Sequence, residues 1–321
     1  MERMFRVLVA SGSFGKADPE PVRMLEKAGC ELVPNELGRP LKDREMAAIV
    51  AEKGIHGIIA GLDEVGPLTL GASDTLKAVS RHGTGVDNID FDAARRHGVV
   101  VTNTPSTNAS GVADLVLGLI LALFRRLIEV HRHVQEGRWE RPTGLELGGK
   151  VLGIVGYGRV GRLVAKRALA FDARVLAYDP YVRETDDERI TLCRSLDELL
   201  AQSDVVTLHL PNTPETVGLI DAAAIARMKP GGFLINTARG ELVDERALAE
   251  AVRSGRLGGA GVDVYRQEPP ADSPLIGVPG IITTSHIGAL TDRSLKETSL
   301  ICAQNLLAVL NGEPCSHIVN K

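Results

Sequence analysis

The chain has 321 residues, 44% of them hydrophobic and 24% charged, a composition that excludes a disordered or fibrous protein and allows two globular domains. Its net charge of -4 comes from 37 basic and 41 acidic residues scattered along the chain, so a nucleic-acid or membrane-surface partner has little electrostatic support. No stretch approaches the ~20 apolar residues of a membrane span. The apolar start FRVLVA is broken by Ser11, Gly12 and Gly15 before a signal-peptide core is complete, so the expected location is the cytoplasm. Cys30, Cys193, Cys302 and Cys315 lie far apart with no histidine at ligand spacing; they read as reduced structural thiols, and no metal site is expected.

The first hundred residues alternate short apolar runs with amphipathic ones. Strands are predicted at Phe5–Ala10, Cys30–Pro34, Gly57–Gly61, within Leu76–Gly83 and at Val99–Asn103, with a helix over Pro21–Lys27 ended by Gly29. The turn-rich segment NTPSTN (103–108) leads into a single long helix predicted over Ala109–His133, and 142–149 reads as a loop. A second alternating series begins at Lys150. KVLGIVG, ARVLAYD, DVVTLHLP, GGFLINTA, GAGVDVY and GIITTSH read as strands. Arg159–Ala170, SLDELLAQ, Ala222–Met228 and Asp244–Ser254 read as helices, and Leu290–Asn311 as a closing helix. This alternation predicts an α/β fold with parallel sheets and helices on their faces.

The segment GYGRVG, Gly156 to Gly161, is a G-x-G-x-x-G pattern. In a chain of 34 glycines the pattern alone is weak. Here it follows the apolar strand VLGIV and opens the helical run RVGRLVAKRALA, the context of a dinucleotide site. Gly156 allows the tight turn, Gly158 lets the backbone approach a pyrophosphate at the helix start, and Gly161 permits close helix–strand packing. The next strand ends at Asp179, whose carboxylate suits both hydroxyls of the adenosine ribose and repels a 2′-phosphate. NAD is therefore expected over NADP, with Arg183 nearby weakening the preference.

Three polar residues end or follow strands of this second series: Arg239 after FLINTA, Glu268 after GVDVYRQ, and His286 at the end of IITTSH. Carboxyl ends of parallel strands line the ligand crevice, so the three can meet. Each alone could be a strand-end or surface residue. Together, beside a dinucleotide turn, they suit the oxidation of a 2-hydroxy acid, in which a hydride leaves carbon as the hydroxyl proton is removed. His286 is the natural proton acceptor and donor. Glu268 could orient the imidazole and favour its protonated form, and the fork of Arg239 could bind a carboxylate and a carbonyl oxygen.

These residues, with SRHGTGVDNID, TNTPSTNASGVAD, GIVGYGRVG, LHLPNTPET, MKPGGFLINTARGELVDERAL, AGVDVYRQEPP and TTSHIGA, carry a resemblance over essentially the whole chain to the D-2-hydroxyacid dehydrogenase family. The resemblance implies two Rossmann-like or flavodoxin-like domains with an active-site cleft between them: a substrate domain of residues 1–103 and 290–321, and an NAD-binding domain of residues 104–289. It implies Arg239, Glu268 and His286 as the catalytic set. Cofactor contacts are implied at Gly156, Tyr157, Gly158, Arg159, Val160, Gly161, Asp179, Thr207, His209, Pro211, Thr216, Thr237, Ala238, Arg239, Asp263, His286 and Gly288, with Asp263 on the nicotinamide carboxamide. Substrate contacts are implied at Arg81, Thr84, Gly85, Arg239 and His286, and the helix after Asn108 is implied to form a homodimer. The family pattern has Pro-Gly in the crossing loop, whereas Pro105 is followed here by Ser106.

Within the family, SRHGTGVDNID and SHIGA look most like phosphoglycerate dehydrogenases, and Arg81 matches an anion-binding arginine there. One cation of that subfamily is missing, because Gly61 and Leu62 stand in its region. The chain ends soon after the closing helix, so serine feedback through a further domain is not expected. Glyoxylate or hydroxypyruvate reduction, oxidation of a sulfonated hydroxy acid, and an NAD-sensing role like that of co-repressors on this fold are the alternatives. Trp139, the only tryptophan, is expected at a subunit interface or over a helix end.

Overall fold

The computed structural model describes residues 5–321, which divide into two units: one of the described residues up to Asn108 together with Ala289–Lys321, the other Ala109–Gly288.

The first unit is a five-stranded, all-parallel sheet in the order β2-β1-β3-β4-β5, the doubly wound order in which the chain reverses direction beside its first strand. The strands are β1 (Phe5–Val9), β2 (Cys30–Pro34), β3 (Gly57–Ala60), β4 (Ala78–Arg81) and β5 (Val100–Thr102). β3 is buried along its whole length, as a central parallel strand covered on both faces must be. Helix α1 (Glu20–Lys27) and the closing helix pack on one side of it. α2 (Asp43–Lys53), α3 (Pro67–Leu70) and α4 (Phe91–Arg96) accompany a separate apolar cluster around Ile58, Val79 and Val101. These three helices were not singled out in the sequence. Asp43 explains part of their arrangement, because its carboxylate accepts from the N–H groups of Gly66 (2.9 Å) and Thr69 (2.9 Å) and so caps α3 from the start of α2. The edge of β5 is covered by the chain's own tail: Val319 N–H donates to Val101 O, and the Asn320 amide bonds both Val101 N–H and Val99 O.

The second unit is a seven-stranded, all-parallel sheet in the order β12-β11-β10-β9-β6-β7-β8. Its strands are β6 (Val151–Val155), β7 (Arg174–Tyr178), β8 (Ile190–Leu192), β9 (Val205–Leu208), β10 (Gly232–Asn236), β11 (Leu257–Val262) and β12 (Ile281–Thr283). With β6 counted as first, this is the dinucleotide-fold order plus one further strand. The switch point between β6 and β9 lies beside the glycine turn. Residues of β6, β9 and β10 are all buried, which matches their unbroken apolar sequences. Helices α7 (Arg159–Ala170), α8 (Leu196–Gln202), α9 (Ala222–Arg227) and α10 (Glu245–Arg253) follow the strands. α8, α9 and α10 are capped by the Ser195, Asp221 and Asp244 side chains.

Two helix boundaries differ from expectation. The helix predicted over Ala109–His133 is two helices, α5 (Ala109–Phe124) and α6 (Leu127–Gln135). The chain leaves the α conformation at Arg126 (φ 52°), and the carbonyl of Phe124 is taken by the N–H of Leu145 at 2.8 Å instead of by a following helical turn. The closing helix, α11 (Asp292–Asn311), starts two residues after Leu290 because Thr291 caps it by accepting from Ser294 N–H. No helix among the described residues is long and apolar enough to cross a membrane.

Candidate active site

The glycine turn joins β6 to α7. Gly156 has φ 95°, and a Cβ there would stand 2.5 Å from the carbonyl oxygen of His209; a Cβ on Gly161 would stand 2.2 Å from Gly156 O. Both positions are closed to a side chain by the protein's own backbone. Gly158, the N-cap of α7, is different, because a Cβ there would meet open space and no side chain caps the helix. The first turn of α7 therefore offers N–H groups to an anion outside the protein. Asp179, just past β7, is oriented by two amides: Oδ2 accepts from Tyr157 N–H at 2.9 Å and Oδ1 from Tyr181 N–H at 3.0 Å. Of the GYGRVG side chains, Tyr157 turns inward and is 1% exposed.

Further along the same sheet edge, the Thr207 hydroxyl lies 3.1 Å from His209 Nε2, and burial lowers the pKa of that imidazole to about 3. Thr216 closes the turn after Pro211: its hydroxyl donates to Pro211 O at 2.7 Å and accepts from Thr213 N–H. Thr237 Oγ1 and Asn212 Oδ1 are buried with no hydrogen-bond partner among the described residues. Buried polar atoms without partners mark a place where a ligand or water completes the structure. An open anion cradle at Gly158, an oriented acid at Asp179 and these orphaned oxygens all fit a dinucleotide.

Arg239, Glu268 and His286 come together within the second unit. Asn236 ends β10 and shapes the loop that carries Arg239: its Nδ2 donates to Arg239 O (2.8 Å) and its Oδ1 accepts from Ala238 N–H (3.1 Å). Gly240 lets this loop lie against the next one, since a Cβ there would be 2.0 Å from the carbonyl carbon of Tyr265. Glu268 Oε1 accepts from Tyr265 N–H (3.1 Å) and Oε2 faces His286 Nδ1 at 2.7 Å. Burial on its own would raise the pKa of Glu268. The His286 hydrogen bond and charge, the Tyr265 amide and the Arg239 charge outweigh it and hold the carboxyl below its ordinary value.

His286 sits in the left-handed region (φ 55°), and the buried Asp263 holds it there. Asp263 O accepts from His286 N–H (2.9 Å), Oδ1 from Ile287 N–H (2.8 Å) and the Thr284 hydroxyl (2.6 Å), and Oδ2 from Gly288 N–H (2.9 Å). The family resemblance implies a cofactor contact for Asp263; its hold on the His286 loop has no signature in the sequence. Asn212, Asn236, Tyr265 and Thr284 were not singled out at all; an Asn closing the otherwise apolar β10 was the one available signal.

In the first unit, β4 ends at Arg81, whose guanidinium donates to His82 O. Gly83 (φ 143°) leaves room for that guanidinium, because a Cβ would fall 1.9 Å from Arg81 Nη1. The next loop is tied to the crossing loop: Thr104 N–H donates to Gly83 O (3.1 Å), Asn103 Nδ2 to Thr84 O (2.8 Å), and the Thr84 hydroxyl to Thr104 O (3.1 Å). Ser106 stands at φ 73°, a conformation glycine adopts without strain, which gives a physical content to its departure from the Pro-Gly pattern.

A parallel sheet with a glycine turn and an acid at the next strand end defines a dinucleotide-binding domain, and an Arg–Glu–His set gathers in the same unit. Residues 117–288 match the family model for the NAD-binding domain of D-isomer specific 2-hydroxyacid dehydrogenases, and the chain belongs to that family of NAD-linked oxidoreductases. It is 43% identical over 253 residues to a D-3-phosphoglycerate dehydrogenase of Archaeoglobus fulgidus, covering 78% of this chain and 48% of the relative. The chain thus spans about half the length of the phosphoglycerate dehydrogenases it matches. It is 36% identical over 315 residues to a glyoxylate reductase of Thermofilum pendens, covering 94% of this chain and 92% of that one. Its fold is similar to the NAD+-bound 3-phosphoglycerate dehydrogenase of Entamoeba histolytica, with TM-score 0.83, 28% identity and 99% of each chain covered.

Proposed function

We propose that this protein interconverts a D-2-hydroxy acid and its 2-keto acid with NAD as the redox partner. The observation that carries this reading is the pairing of His286 Nδ1 with Glu268 Oε2 at 2.7 Å, in the unit that bears the glycine turn. That bond leaves Nε2 as the ring nitrogen available to a substrate. In oxidation Nε2 accepts the hydroxyl proton, and in reduction it returns the proton to the carbonyl oxygen. Glu268 stays anionic beside it and steadies the imidazolium that forms. Arg239 holds the carboxylate and polarises the oxygen at the reacting carbon.

Bound NAD would supply the hydride acceptor and donor. Residues suited to hold it are the amides of the Gly156–Gly161 turn, Asp179 for the ribose, the Thr207–Pro211 and Thr216 segment, and Thr237, Ala238, Asp263 and Gly288 around the nicotinamide. In the first unit Thr84 and Gly85 are the proposed carboxylate receptors. Arg81 is the proposed partner of a second anion, which favours 3-phosphoglycerate or another doubly anionic hydroxy acid. Glyoxylate or hydroxypyruvate reduction is the second reading, favoured by the end-to-end similarity to the Thermofilum pendens reductase and by Gly61 and Leu62 in place of a cation.

The exposed apolar residues Leu127, Ile128, Val134 and Trp139 on and after α6 support a homodimer, and the soluble composition supports a cytoplasmic location. Initial rates of NADH oxidation with a panel of 2-keto acids, and of NAD reduction with the matching D-hydroxy acids, test the activity. Turnover of a doubly anionic acid that Arg81→Ala weakens mainly through KM supports the first reading. A preference for glyoxylate that is indifferent to Arg81 supports the second. Tight NADH binding with no turnover on any acid counts against both.

A further inference from the structure

The side chain of Tyr157 occupies a variable position of the glycine turn, yet it is one of the most deeply buried large side chains in the protein. Its hydroxyl donates to the carboxylate of Asp186, in the connection between β7 and β8. Arg162, from the first turn of α7, lies over the Tyr157 ring at 4.5 Å and pairs with the same Asp186 oxygen at 2.9 Å. Three chain segments thus meet at one carboxylate: the glycine turn, the start of α7, and the connection that begins with Asp179. Val182 of this connection packs on the core that contains Tyr157.

We propose that Tyr157, Arg162 and Asp186 form a clasp that positions Asp179 for the adenosine ribose, and that the clasp is a determinant of NAD affinity and of discrimination against NADP. Asp179 has two tethers, one from each side of the clasp. The amide of Tyr157 holds Oδ2, and the amide of Tyr181, in the connection pinned by Asp186, holds Oδ1. Loosening the connection moves one tether relative to the other, so the carboxylate no longer stands preset. Preset groups spare the ligand the cost of ordering them, and that saving appears in affinity. The charge distribution supports the arrangement. Burial and then the Asp186 carboxylate push the Tyr157 phenol above its ordinary pKa. The Tyr157 hydrogen bond, ahead of Arg162, holds Asp186 below its own. The hydroxyl therefore remains a donor and the carboxylate a charged acceptor across the working pH range.

Tyr157, Arg162 and Asp186 are positioning residues, acting through Asp179. The clasp lies wholly within the NAD-binding unit, so the proposal stands or falls whichever hydroxy acid is turned over.

The test is cofactor binding by the full chain, read from NADH fluorescence and from displacement by ADP-ribose. Tyr157→Phe keeps the ring and removes only the hydroxyl; Asp186→Ala removes the acceptor; Asp186→Asn restores an acceptor without charge. Tyr157→Phe and Asp186→Ala are expected to weaken both NADH and ADP-ribose roughly five- to tenfold, less than the full worth of a charge-assisted hydrogen bond because the clasp acts on the ligand only through Asp179. The double variant should be no weaker than Asp186→Ala alone, because loss of the carboxylate already breaks the link that Tyr157→Phe removes. Asp186→Asn should recover part of the loss; the preference for NADH over NADPH should narrow in the variants that lose affinity and widen again as affinity is recovered. Unchanged NADH and ADP-ribose binding in Tyr157→Phe and Asp186→Ala would overturn the proposal. So would a loss of NADH binding that spares ADP-ribose, since the clasp serves the adenosine half.

Discussion

His286 Nδ1 and Glu268 Oε2 stand 2.7 Å apart, and the carboxylate that fixes the imidazole is itself fixed by the amide of Tyr265. Replacing His286 by Gln removes the proposed proton carrier while leaving the Gly156–Gly161 turn intact. The expected loss in kcat is about 10²- to 10⁴-fold, the usual worth of a positioned general acid–base. NADH affinity should be nearly unchanged. Glu268→Gln keeps the shape and removes the charge; its kcat should fall by roughly ten- to a hundredfold, because imidazolium loses its counter-charge. Steady-state kinetics paired with NADH titration checks both. Wild-type turnover in His286→Gln would remove this residue from the chemistry.

Asp263 is 1% exposed, and its side chain accepts three hydrogen bonds from the His286–Gly288 loop and Thr284. In Asp263→Asn an amide NH2 must face backbone N–H groups or leave them unpaired, at a cost of about 1–3 kcal/mol. Since the loop holds His286 at positive φ, the strain there loses its support. The expected result is a lower unfolding temperature together with a fall in kcat larger than the change in KM. Retention of full kcat despite lower stability would show that Glu268 alone aligns the imidazole.

Gly158 and Gly161 belong to one motif and should fail differently. A methyl at Gly158 meets open space, so Gly158→Ala should unfold at nearly the wild-type temperature and yet bind NADH at least about tenfold more weakly, because the methyl occupies the proposed approach of the cofactor phosphate. At Gly161 the methyl would press on Gly156 O, so Gly161→Ala should cost stability first, on the order of 1–3 kcal/mol. Thermal unfolding and NADH titration of the two variants separate the effects. Equal destabilisation by both would contradict the open cradle at Gly158.

Much of this architecture was legible because fully buried parallel strands have no polar face. Runs such as VLGIV and GFLIN announce themselves, and strand ends then point to Arg239, Glu268 and His286. What escaped depends on partners distant in sequence. Asp43 matters through amides of Gly66 and Thr69, and α5 stops where it does because Leu145 takes the carbonyl of Phe124. Nothing in the Leu- and Arg-rich run around Arg126 signals that competition. Asn236 and Tyr265 work through backbone bonds to their neighbours, a role that residue type alone does not reveal. The inward turn of Tyr157 was likewise hidden, since the glycine pattern constrains its flanks and not the residue between them.

His82 supplies a pH-dependent term in stability. Its imidazole is 6% exposed, with Ser11 and Ser13 at Nδ1 (3.2 and 3.3 Å) and Ser299 at Nε2 (2.9 Å), so it joins the turn after β1 to α11. Burial, with a smaller push from the Arg81 charge, lowers its pKa from 6.5 to about 4. The unfolded chain therefore takes up this proton before the native one does. Stability from the neutral imidazole is fully present above pH 6.5 and is lost as pH falls towards 4, by about 3 kcal/mol in all and about 2 kcal/mol by pH 5. His209, lowered to about 3 by burial, acts in the same direction and is untouched by a change at His82. His82→Gln should be less stable than wild type at pH 7.5, by about 1–2 kcal/mol for lost hydrogen bonds. At pH 5 that gap should close or reverse, moving by about 2 kcal/mol, because only the wild type still carries the protonation penalty there. Urea unfolding at the two pH values measures it; a gap of the same size at both would mean that His82 is not the group whose protonation weakens the fold.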